Sequence, residues 1–82
     1  MTRTDVIGRL QNVFREFFGD DSLVLEEVTT AEDVADWDSL ANVELMVEIE
    51  EHFGVRFRTG QVAELANIGQ LVDVILADAG AE

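Results

Sequence analysis

Three stretches of this chain repeat apolar side chains at intervals of three and four residues, and that spacing confines it to packed helices. Val6, Leu10, Val13, Phe14 and Phe17 make the first stripe. Leu45, Met46, Ile49 and Phe53 make the second, and Ile68, Leu71, Val72 and Ile75 the third. No run alternates apolar and polar residues, and proline, which would break a helix, is absent. With 82 residues and a hydrophobic share of 48%, the chain can fill one small core and not two. The expected fold is all-α: a single domain over residues 1–82, built as an antiparallel four-helix bundle of three longer helices and one short one.

The helix boundaries follow from capping chemistry. The first helix is expected from Asp5 to Phe18, with Thr4 accepting a bond from a first-turn amide, Asp5 at the positive end of the dipole and Gly19 as the stop. Residues 20–37 lack a period, and a connection of that length in a compact domain is often functional. Leu23, Leu25, Val28, Val34 and Trp37 are expected to pin it to the core. The second helix is expected to start at Ser39 and end near His52 or Phe53, with Gly54 as its stop. After the link from Val55 to Arg58, Thr59 is expected to cap a short helix holding Val62 and Leu65. Asn67 is expected to cap the last helix, which frays at Gly80.

Composition removes several classes of function. Without cysteine the polypeptide offers no disulfide, no thiolate metal site and no thiol chemistry of its own. No apolar run reaches the roughly 20 residues that span a bilayer, and Met1 to Asp5 does not open a signal peptide; the expected location is the cytoplasm. The formal charge of −13 repels nucleic acid and anionic membrane. The charge is also unevenly spread. Residues 20–51 hold 12 of the 18 acids and no base at all, which suits a partner with a basic surface.

The second helix is apolar on two sides. At roughly 100° per residue, Leu45, Met46, Ile49 and Phe53 fall on one face, while Leu40, Val43 and Val47 fall nearly opposite. A small bundle needs only one such face. The other is expected either to lie under the long loop or to meet a partner. Glu44, Glu50 and Glu51 border it, with Glu48 a little further around, as in a docking surface where charge orients and aliphatic groups supply desolvation energy.

Ser39 lies where loop becomes helix, within Asp36-Trp37-Asp38-Ser39-Leu40. A serine at such a place is most often a cap, yet a helix N-terminus also suits a phosphate. Asp38-Ser39-Leu40, then Val43-Glu44-Leu45 and Ile49-Glu50-Glu51-His52-Phe53-Gly54-Val55, resembles the acyl carrier protein family, and Asn67-Ile68-Gly69-Gln70-Leu71-Val72-Asp73 is similar to its last-helix opening. The resemblance implies a carrier without catalytic activity of its own. It implies that Ser39 accepts covalent 4′-phosphopantetheine from coenzyme A, that Asp38 assists the modifying enzyme, and that acyl groups ride on the arm as thioesters. Leu40, Val43, Glu44 and Val47 match positions that meet partners, Glu50 and Glu51 match acidic contacts, and Leu65 and Ile68 match positions near the arm and the acyl-binding core. The implied partners are a phosphopantetheinyl transferase and acyl-processing enzymes such as an acyltransferase and a ketosynthase, met by a monomer. The implied role is in polyketide or fatty-acid-type synthesis. Many members carry glycine shortly before Asp-Ser-Leu where this chain has Trp37; Trp-Asp-Ser-Leu is similar to a variant of stand-alone carriers in polyketide and related specialised pathways.

Other readings fit less well. His52, the single histidine, lies thirteen residues from Ser39 along one helix, roughly 20 Å at 1.5 Å per residue, too far for a nucleophile–base pair. From Asp33 to Glu44 both ends are acidic, but an EF-hand loop needs oxygen ligands at its third and fifth positions and glycine at its sixth. Ala35, Trp37 and Asp38 stand there instead, so no metal is expected. An unmodified acidic helical adaptor and a peptidyl or aminoacyl carrier stay as alternatives.

Overall fold

The computed structural model describes residues 2–57 and 66–79. Among these, three α-helices and one 3-10 turn form the architecture, with no strand: α1 is Arg3–Phe18, the turn is Ala31–Asp33, α2 is Ser39–Phe53 and α3 is Ile68–Ala79. The short helix expected around Thr59, Val62 and Leu65, and the fray at Gly80, lie outside the described residues. No helix among the described residues is long and apolar enough to cross a membrane.

The core is made by the three stripes. Val6, Leu10 and Phe14 of α1, Leu45 and Ile49 of α2, and Ile68, Val72 and Ile75 of α3 are sealed from solvent. Each such side chain contributes about 1.5–3 kcal/mol against leaving it in water. The helices end where glycine takes a left-handed turn: Gly19 has φ 65° and Gly54 φ 68°. The amide of each donates to a carbonyl of the preceding turn, Arg15 and Glu50 respectively.

The start of α1 differs from the expectation. Thr2, not Thr4, is the cap: its hydroxyl accepts from the Asp5 amide, and the Asp5 carboxylate accepts from the Thr2 amide. The pair closes a capping box, which needs partners three residues apart, and Thr4 has no such partner in Asp5. Asn67 caps α3 as expected, its Oδ1 accepting from the Gln70 amide at 3.0 Å.

The long connection between α1 and α2 is fixed throughout. Gln11 Oε1 accepts from the Leu25 amide at 3.0 Å, Arg15 Nε donates to the Leu23 carbonyl at 2.7 Å, and the Thr29 hydroxyl accepts from the Glu26 amide at 2.9 Å. The first amides of α3 also use it: Ile68 donates to the Thr29 carbonyl at 2.8 Å and Gly69 to that of Glu27 at 2.9 Å. Arg3 joins the same place, donating to Glu27, to Asp73 and to the Gly69 carbonyl. Leu25 and Val34 are buried, and Leu23 and Trp37 pack on the core. Val28 is the exception: it is 73% exposed and pins nothing. In a segment without a regular period, the sequence alone could not say which way that side chain faces.

Candidate functional site

The site begins with the turn that precedes α2. The Trp37 amide donates to the Val34 carbonyl, and Asp36, the third residue of that turn, has φ 69°. A left-handed residue at this point is the hallmark of a type II turn and is easiest for glycine, but aspartate tolerates it. The turn throws the Trp37 indole inward. Its ring meets Phe14 of α1 edge-on with centroids 5.1 Å apart, and its Nε1 donates to Asn42 Oδ1 of α2 at 3.0 Å. One side chain thus ties the loop both to α1 and to the second turn of α2.

Asp38 then caps the helix. Its Oδ1 accepts from the Ala41 amide at 2.8 Å, and its carbonyl accepts from Asn42 at 2.9 Å. The capping task falls to the aspartate, so the serine is released from it. Ser39 is the first helical residue, it is exposed, and among the described residues no hydrogen bond occupies its hydroxyl. The amides of Ser39 and Leu40 likewise find no acceptor among the described residues. A serine hydroxyl open to solvent beside two unclaimed amides fits esterification by a phosphate-bearing group.

The sequence holds a second Asp-Ser-Leu, at Asp21-Ser22-Leu23. Ser22 is the only other serine. Its hydroxyl donates to Asp20 Oδ1 at 2.6 Å and its amide to the same oxygen at 3.0 Å. These bonds hold the Asp20 carboxyl below the usual carboxylate range, the hydroxyl's first and the amide's next, helped by Arg15. No helix follows Ser22.

Beyond Ser39 the two faces of α2 part as expected. Leu45, Met46 and Ile49 are buried, whereas Leu40 is 73%, Val43 64% and Val47 48% exposed. The loop therefore leaves the second face open. Glu44, Glu48 and Glu51 stand exposed near it. Glu50 differs: it is half-buried, and its Oε2 accepts from the Phe57 amide at 2.7 Å, which commits it to holding the chain after α2. Ile68 is fully buried in the core. Leu65 lies outside the described residues. His52 is exposed at the far end of α2 from Ser39. Among the described residues no group of three or more metal-binding side chains gathers.

Comparisons with known proteins point to one family. The family model described as a phosphopantetheine attachment site matches residues 8–75. The acyl carrier protein of Acidothermus cellulolyticus is 31% identical over 75 residues, covering 92% of this chain and 89% of that one. That of Rubrobacter xylanophilus is 30% identical over 77 residues, covering 93% and 94%. The solution structure of the holo acyl carrier protein from Geobacter metallireducens superposes with a TM-score of 0.85 at 36% identity, covering 92% of this chain and 86% of that one. The prosthetic group of such carriers is 4′-phosphopantetheine, and a hydroxyl able to take it is present. On these grounds the chain belongs to the acyl carrier protein family.

Proposed function

We propose that Ser39 is the residue that carries 4′-phosphopantetheine. The observation behind this is the division of labour at the start of α2: Asp38 caps the helix, and the Ser39 hydroxyl is left exposed. Proteins of this family are carriers without catalytic activity of their own. When bound, the arm supplies the thiol that the polypeptide lacks, so that acyl groups can be held as thioesters. The chain's own residues position that arm and present it. Trp37 and Asn42 hold the approach to Ser39, and the open amides of Ser39 and Leu40 favour a phosphate there.

The partner-facing surface in this reading is the open strip of Leu40, Val43 and Val47, with Glu44 and Glu51 steering basic enzymes onto it. A phosphopantetheinyl transferase is its first partner, followed by an acyltransferase and a ketosynthase. Contacts of this kind form fast, weaken with salt and release readily, as a shuttling carrier requires. Trp37 directly before Asp-Ser-Leu favours a polyketide-type pathway over housekeeping fatty-acid synthesis. A cytoplasmic monomer, one domain over residues 1–82, and a short helix near Thr59 belong to the same reading.

The test is incubation with coenzyme A and a broad-specificity phosphopantetheinyl transferase, read by intact mass. The protein gains one phosphopantetheine and Ser39→Ala gains none. No gain by the folded wild-type protein overturns the proposal and favours an unmodified acidic adaptor.

A further inference from the structure

We infer that the loop between α1 and α2 is a second protein-docking surface, separate from the strip on α2, and that it receives a partner presenting aliphatic side chains flanked by lysine or arginine. Val24 and Val28 are 62% and 73% exposed in a segment whose other large apolar residues turn inward. They stand at the edge of a shallow groove floored by Leu23 and the buried Val34. None of Leu40, Val43 and Val47 lines it.

These valines are held in place. Between them Leu25 is buried and its amide is bound by Gln11; Arg15 holds the Leu23 carbonyl before them, and α3 amides hold the carbonyls of Glu27 and Thr29 around Val28. A pair of valines fixed in an exposed position loses little conformational entropy on being covered, which is what a docking site needs.

The chemistry of the occupant follows from the rim. Asp20, Glu26 and Asp33 line the groove, and no lysine or arginine occurs in residues 16–55. A second copy of a chain of charge −13, a nucleic acid or an anionic membrane is repelled from such a field. A basic protein surface is drawn to it, and its aliphatic groups then cover Val24 and Val28. None of this uses the Ser39 hydroxyl, so the surface also operates in the Ser39→Ala protein.

The test titrates the ¹⁵N-labelled full chain, carrying Ser39→Ala, Leu40→Ser, Val43→Ser and Val47→Ser to silence the other face. The probe is a helical peptide of lysine and leucine. Amide signals of residues 23–34 should shift, and the further changes Val24→Ser and Val28→Ser should weaken binding about tenfold, the expected loss for two partly covered valines. A peptide of the same charge with serine in place of leucine should bind as weakly as that variant. Because both valines are exposed, the variant should keep the parent's melting temperature, which separates lost docking from lost folding. Equal binding by the two peptides, unchanged affinity of the valine variant, or shifts elsewhere than this loop each overturn the inference.

Discussion

Asp-Ser-Leu occurs twice in this chain, and the two copies have opposite fates. In the first, Ser22 spends its hydroxyl on Asp20, and Leu23 packs toward the core. In the second, Ser39 begins a 15-residue helix, its hydroxyl is open, and Leu40 faces solvent. Both serines follow a left-handed residue three positions earlier, Gly19 and Asp36. Neither the tripeptide nor the turn before it separates them. What separates them is whether a helix follows and which aspartate serves as its cap.

The comparison can be broken at each of its three positions. The largest expected effect is at the leucines. Leu23→Ala should cost about 1–2 kcal/mol of stability by chemical denaturation, because the side chain packs on the core. Leu40→Ala should stay within about 0.5 kcal/mol, because its side chain is exposed. Equal losses would show that the two leucines are not in opposite environments. At the aspartates, Asp38→Ala should cost about 1 kcal/mol by removing the cap of α2, while Asp21→Ala should change little, since Asp21 is exposed in a turn of the loop.

Two further substitutions sharpen it. At the left-handed position before Ser39, Asp36→Gly should match or exceed wild-type stability by about 0.5 kcal/mol, and Asp36→Val should lose about 1 kcal/mol or more. At the first copy, Ser22→Ala should move the Asp20 carboxyl up toward the ordinary range, with the residue 22 amide and Arg15 still holding it below, followed by carbon NMR of its carboxyl group. The sign is fixed by linkage. A carboxyl held low in the folded protein contributes stability above its ordinary titration range, and that contribution fades as pH falls through the lowered value. The stability gap between wild type and Ser22→Ala should therefore be steady at neutral pH and shrink in acid.

Much of this was readable from local signals. Gly19 and Gly54 as helix stops, Asn67 as a cap and the split faces of α2 each follow from spacing or from one residue's conformational preference. The cap at Thr2 was readable too, since Thr2-Arg3-Thr4-Asp5 spells a capping box two residues before the cap expected at Thr4. Other features depend on residues far apart in sequence. Arg3 binds Glu27 and Asp73, 24 and 70 positions away. The outward turn of Val28 depends on which loop carbonyls α3 claims. The complete burial of Ile68 is set by the packing of three helices. The identity of the free serine was legible only with the context around it, because the tripeptide itself is ambiguous in this chain.

The most direct test places the modification. After reaction with coenzyme A and transferase, cleavage at arginine releases the segment from Glu16 to Arg56, which contains both serines. Fragment-ion mass spectrometry of that segment should find the added group on Ser39 alone. Finding it on Ser22, or shared between the two, would contradict the claim that helix context selects the serine.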